Sequence, residues 1–425
     1  MTVLQIIATT IFIGGYILIS LEHEFKLNKA AIALAIGGFL WLLVALFGHI
    51  EGIDHILTET SAEIFEIVMF LLSAMSLVEI LVHYRLFDIV RGKIFEFGLS
   101  EQKQFLVVAL LAFIFSGAID NLTTTIVMIQ IARKFFKGEN LLRAGAMIVI
   151  AANAGGAFSP IGDVTTIMLW LAGKFDTLQL ISQGFLPSLV LFGVAVTIMY
   201  RQITNSSYDA TKEIVTTLRK SEKIIMALVF ISFTLPIMMS FISLPPFLGL
   251  ALGLGVVWIA VDLLKSVAPN ETHLSASIEK FISQTDIPAL KFFIGILLAV
   301  SALNSLGILE LLSSTIFGHD PTVTRMIIGN STLGMISAVL DNVPLTAITI
   351  KALHTSISEL WVLLALTVGT GGSLLIIGSA SGVIAMGLIE GLTSKKYFQI
   401  AFIPAFVGYV AAIATWLIQY LIFFS

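Results

Sequence analysis

Asp120, Asp163 and Asp341 stand inside strongly apolar stretches, and carboxylates so placed point to cation and proton chemistry. A charged aspartate at bilayer depth costs about 2.5–3.5 kcal/mol on insertion scales, so its presence there suggests function. Two of the three occupy matching blocks, SGAIDNLTTT at 116–125 and SAVLDNVPLT at 337–346, with Asp-Asn in register. Asn121 and Asn342 add carbonyl acceptors, and Ser116, Thr123, Thr124, Ser337 and Thr346 add hydroxyls. Helix capping at a tight turn is the simpler reading of each Asp-Asn pair. Serine or asparagine would cap equally well without a buried charge.

Asp163 lies in a second pair of blocks, NAGGAFSPIGDVTT at 153–166 and GTGGSLLIIGSASG at 369–382. The counterpart of Asn153 is Gly369 and that of Asp163 is Ser379, so the first half is richer in charge. Ser159, Thr165, Thr166, Ser373 and Ser381 are the neighbouring hydroxyls. Asp163 could also simply cap a half-helix starting at Val164. Carboxylate, hydroxyl and backbone carbonyl oxygens together suit a hard, partly dehydrated cation, which makes Asp120, Asp163 and Asp341 the expected ion-holding carboxylates. Glu66 and Glu79 share one predicted helix but are separated by about 20 Å of rise and cannot serve one site. Glu66 is expected to enter the membrane from the outer side, one turn after an interfacial Glu63.

The elements that must position these residues follow from composition. Hydrophobic residues make up 57% and charged ones 12%, about half the roughly 25% charge of soluble domains, and mean hydropathy is +1.01. Apolar runs long enough to span a bilayer recur throughout, so the fold is an all-α integral membrane one. Net charge is −4 and cysteine is absent, which argues against nucleic-acid binding and excludes thiolate sites. The first apolar run, 2–20, lacks a basic flank and a small-residue cleavage site and reads as a retained helix.

The run 124–136 would give only about 20 Å of helix against a hydrocarbon core of roughly 30 Å. Segments 102–136 and 322–357 therefore read as re-entrant helical hairpins with Asp-Asn at their tips. Segments 141–173 and 360–389 are interrupted by glycines and read as broken membrane helices, tolerated where backbone is buried or faces a cavity. Two repeats result, 1–201 and 224–425, joined by the polar linker 202–223. Each has five crossings, an odd number, so the repeats are expected to be inverted. All but Lys174, Arg325 and Lys351 of the 23 Lys and Arg fall on one side. By the positive-inside rule that side and the linker are cytoplasmic, with both termini outside.

Half-helix N-termini favour anions; aspartates placed there reverse that preference, so sodium or lithium would be held and an anion repelled. Desolvation disfavours a carboxylate's charged form, so proton and cation compete for one group, a sufficient basis for antiport. The blocks SGAIDNLTTT and NAGGAFSPIGDVTT, preceded by EIVMFLLSAMSLVEI at 66–80, resemble the NhaD-type sodium/proton antiporters of the ion transporter superfamily. The resemblance implies exchange of sodium or lithium for protons by alternating access across the cell (inner) membrane, no cofactor, and commonly a homodimer. By position it places importance on Glu66, Asp120, Asn121, Asn153, Asp163, Thr165, Ser337, Asp341 and Asn342. A sodium-coupled carboxylate or oxyanion transporter of the same superfamily is the nearest alternative, although related dicarboxylate carriers have Ser-Asn-Thr tips. An enzyme, an intramembrane aspartyl protease, is disfavoured because the repeat replaces Asp163 by serine.

Overall fold

A computed structural model describes residues 1–20, 25, 27–204, 217–268, 270–318 and 322–423. Most of the expected linker, residues 205–216, lies outside the described residues. The first half runs α1 (Val3–Ser20), α2 (Lys29–Phe47), α3 (Ile53–His83), short α4 (Leu86–Glu96), α5 (Glu101–Ala118), α6 (Asn121–Phe135), α7 (Gly138–Gly156), α8 (Val164–Leu171) and α9 (Thr177–Tyr200). The second half opens with α10 (Lys220–Ser232), α11 (Leu235–Phe241), α12 (Pro246–Val267), α13 (Glu271–Ser275), α14 (Ile278–Gln284), α15 (Ile287–Ser305) and α16 (Ile308–Ile316). It closes with α17 (Val323–Ile336), α18 (Asn342–Ala352), α19 (Ser358–Gly371), α20 (Ala380–Leu388) and α21 (Ser394–Phe423). No strand occurs among the described residues. With α10 and α11 taken as one span, eight of the described helices are long and apolar enough to cross a membrane, and the protein is an all-helical integral membrane protein.

Local sequence explains where these helices break. Pro236 separates α10 from α11, so the apolar run expected as one span at 224–242 is two helices; proline lacks the N–H that would continue the ladder. Gly307 adopts φ 70° and divides α15 from α16, and Arg85 at φ 59° divides α3 from α4 at the matching place in the first half. The helix α3 has 31 residues, about 46 Å at 1.5 Å per residue. It begins well before the apolar run at 63–82 because Asp54, Thr58 and Glu59 continue the helix beyond lipid depth.

α7 and α19 form the centre. From Ala144 to Gly156 and from Leu360 to Gly371 every residue is buried, the mark of a helix surrounded by protein rather than lipid. In one group α1 and α3 pack on the α2–α15 pair, and α10 and α12 pack on α3 and on each other. A Cβ on Gly37 or Gly295 would strike the partner backbone, so glycine sets that close approach. A second group contains α5, α6, α7 and α9 with α17, α19, α20 and α21. The half-helix α8 packs on α3 of the first group as well as α19 of the second, and α18 lies against α15 and α16 as well as α8 and α19.

At the far end of α3, His83 Nε2 lies 2.8 Å from the Thr272 carbonyl, and the Tyr84 hydroxyl lies 2.6 Å from His273 Nδ1. His273 is fully buried and its Nε2 has no hydrogen-bond partner. Burial pushes its pKa below the ordinary 6.5. These contacts dock α13 onto the end of the longest helix of the first half.

Candidate cation site

Each hairpin turns on an aspartate. α5 ends where Ile119 leaves helical geometry (φ −121°, ψ −137°), and Asp120 caps α6. Asp120 Oδ1 accepts from Thr123 N–H at 2.7 Å and Oδ2 from the Thr123 hydroxyl at 2.7 Å. In the second hairpin Asp341 caps α18, Oδ1 accepting from Val343 N–H at 3.1 Å. Capping is therefore real at both tips, and the helix N-terminus offsets part of the cost of a carboxylate there.

The broken helices meet these tips in the same way in both halves. A Cβ on Gly155 would strike the Phe113 carbonyl, and one on Gly371 the Gly334 carbonyl. Ser116 donates its hydroxyl to the Ala152 carbonyl, and Ser337 donates to Val368 O at 2.7 Å. Asp163 caps α8 through Thr165 N–H at 2.7 Å, and Ser379 caps α20 through Gly382 N–H at 3.2 Å. At these contacts the halves match in packing and differ in charge, Asp163 standing where the second half has Ser379.

Asp163 is fully buried and sits at the junction of the three elements. Besides Thr165 N–H, its Oδ1 accepts from Asn342 Nδ2 at 3.2 Å, and its Oδ2 accepts from Asn121 Nδ2. Asn121 Nδ2 also reaches Asn153 Oδ1 at 3.1 Å, and Asn153 Nδ2 contacts Ser373 Oγ at 2.9 Å and Ser379 Oγ at 3.1 Å. A continuous polar network thus joins the two halves. Such networks, when satisfied, fix the geometry of a buried site.

Asp120, Asn121, Asp163, Asp341 and Asn342 line one cavity of about 80 Å³. Leu71, Met75, Val78, Phe233 and Phe292 form apolar walls, and the partly exposed Lys29 and Asp286 also line it. Lys29 Nζ lies 5.2 Å from the Phe292 ring centre. Among the described residues no three acidic or imidazole side chains are grouped closely enough to hold one ion between them. The hydroxyls of Thr124 and Ser381 are buried without a hydrogen-bond partner, and buried polar atoms of this kind call for a ligand or water.

The remaining expected residues take supporting places. Thr346 donates to Asn342 O at 2.8 Å, and Ser159 lies buried in the break with Oγ 3.4 Å from Ile161 N. Glu66 is apart from the others: with Glu63, Thr60, Ser301 and Lys351 it lines a separate cavity of about 200 Å³ at the opposite end of α3 from His83. Sequence reasoning missed Tyr16, whose hydroxyl accepts from Asp341 N–H at 2.7 Å. A lone phenol in an apolar run carries no periodic signal.

A sequence model of the CitMHS family, described as "Citrate transporter", matches residues 16–369. Sodium/proton antiporter 1 of Arabidopsis thaliana is 37% identical over 97% of this chain and 72% of its own length. The sodium/proton antiporter NhaD of Halomonas elongata is 31% identical over 96% of this chain and 87% of its own. That of Alkalimonas amylolytica is 32% identical over 96% and 89%. These are transporters rather than enzymes. With the acid-lined cavity and its broken helices, they lead to one placement: the chain belongs to the CitMHS family and, within it, to the NhaD-type sodium/proton antiporters.

Proposed function

We propose that the protein exchanges sodium or lithium for protons across the membrane, with Asp163 as the group over which cation and proton compete. The observation that carries this reading is a small cavity lined by four aspartates, Asp120, Asp163, Asp286 and Asp341, and two asparagines, with Lys29 as the only basic residue among the described residues lining it. Its volume, about 80 Å³, leaves space for an ion and a few waters, since one water needs at least about 10–15 Å³ by the same measure. Asp163, the Asn121 and Asn153 carbonyls, the Thr124 and Ser381 hydroxyls and carbonyls freed by the breaks would supply oxygens to a partly dehydrated cation. Asp120 and Asp341 add negative field from either side, holding the ion's charge in a low-dielectric setting.

Alternating access completes the proposal. The carboxylate cavity opens beside Lys29 and Asp286, while a second cavity with Glu63 and Glu66 approaches from the other face. The two repeats, read as inverted, would carry the site from one face to the other. The distribution of Lys and Arg supports taking the Lys29 face as cytoplasmic and both termini as external. A homodimer in the cell (inner) membrane is the assembly that the family resemblance implies.

The description of the family model favours a second reading, transport of citrate. Its three carboxylates would meet Asp120, Asp163 and Asp341, with no arginine among the lining residues to pair with them. Proton flux in everted vesicles separates the readings. Sodium or lithium should discharge a preformed pH gradient, citrate should not, and Asp163→Asn should abolish the response. Citrate-dependent flux without a sodium response would overturn the assignment.

A further inference from the structure

The helix α18 is gripped at both ends by the helix group that does not carry the broken helices. At its N-terminal end Tyr16 of α1, itself buried, accepts the backbone N–H of Asp341 at 2.7 Å. At its C-terminal end Lys351 Nζ contacts both carboxylate oxygens of Glu63 on α3, at 2.6 and 2.9 Å. The first hairpin is held differently: Asn121 N–H donates to the Gly162 carbonyl at 3.0 Å, within its own broken helix. Among the described residues, hydrogen bonds therefore tie the second tip across the boundary between the groups. Asp341 and Asn342 are adjacent yet bond in opposite directions, one to Tyr16 and the other to Asp163.

We propose that Tyr16 and the Glu63–Lys351 ion pair form a two-point clamp on α18 that positions Asp341 and favours the state in which the carboxylate cavity opens beside Lys29 and Asp286. The ion pair lies across the cavity that approaches from the opposite face, where Ala347 of α18 is buried in the wall. Releasing the clamp frees α18 to shift against α1 and α3, which opens that face. Tyr16 and Lys351 are positioning residues; the inference rests on alternating access but not on which ion is carried.

The chain has no cysteine, so Ala347→Cys provides a single reporter. A membrane-impermeant maleimide is applied from the Glu63 face, in otherwise wild-type protein and with Tyr16→Phe, Glu63→Gln, Lys351→Met or the exchange Glu63→Lys with Lys351→Glu. Each single change should raise the labelling rate about two- to fivefold, the range set by the strength of one exposed ion pair or hydrogen bond, and the charge exchange should return it towards the starting value. Half-saturating sodium, measured in vesicles of both orientations, should rise on the Lys29 face and fall on the Glu63 face. A folding defect would not give opposite signs on two faces. Unchanged labelling in all three single variants, or labelling equally raised in the exchanged pair, would overturn the clamp. Because labelling needs no ion, a clamp that responds in a protein without sodium-driven proton flux would leave the clamp standing and remove the ion assignment.

Discussion

Asn342, at the tip of the second hairpin, donates its side-chain amide to Oδ1 of Asp163 at 3.2 Å, a contact spanning 179 positions of the chain. Asn121 of the first hairpin binds the other oxygen of the same carboxylate. The only aspartate of the two helix breaks is thus held between both tips. An amide pair of this kind fixes where the carboxylate points; Oδ1 also accepts from Thr165 N–H, so the lone pair left for an ion is on Oδ2.

Truncating either amide should weaken cation binding with little loss of folded protein. A hydrogen bond to a charged group contributes about 1.5–3 kcal/mol, so Asn121→Ala or Asn342→Ala should raise half-saturating sodium roughly 10- to 100-fold. Because the two share one carboxylate, the double variant should depart from additivity. Titration of sodium-driven proton flux in the four proteins checks this.

The glycines of the breaks should tolerate no side chain. Gly155→Ala and Gly371→Ala each drive a methyl group into carbonyl backbone, of Phe113 and Gly334 respectively. Overpacking of this kind costs about 1–3 kcal/mol or more. Thermal unfolding in detergent should fall for both, whereas Gly193→Ala, which meets nothing within 4 Å, should match wild type.

How far the sequence discloses this architecture depends on the kind of residue. Asp120 and Asp341 are conspicuous because charge in apolar runs is costly and both fall in matching blocks. The breaks are equally visible, since Gly155, Gly162, Gly371 and Gly378 crowd into segments otherwise able to continue as helix. The start of α3 is not visible, because helical residues outside lipid depth need not be apolar. Nor is the separate placement of Glu66, which depends on how α3 is rotated against α15, where Thr60 meets Ser301 at 2.7 Å. Tyr16 and the Lys351–Glu63 pair rest on contacts between distant segments.

Acid should loosen the docking of α13 on α3. The pKa of His273 is lowered by burial, so the folded state holds the ring neutral. The unfolded chain takes up the proton first, near its ordinary 6.5. The stabilisation is fully present above that pH and is lost as pH falls towards the depressed folded value. Protonation would also leave a buried, charged N–H at Nε2 without a partner. Melting temperatures between about pH 5 and 8 should decline on the acid side in wild type, and this decline should be shallower in His273→Gln.

The central claim is that one carboxyl group serves cation and proton in turn. The direct measurement is calorimetric sodium binding to the purified protein in two buffers of different ionisation enthalpy, which gives the protons released per ion. At a pH where the Asp163 site is largely protonated, wild type should release about one proton per bound sodium, affinity should rise with pH, and Asp163→Asn should show neither. Sodium binding without proton release, or release undiminished in Asp163→Asn, would contradict the account.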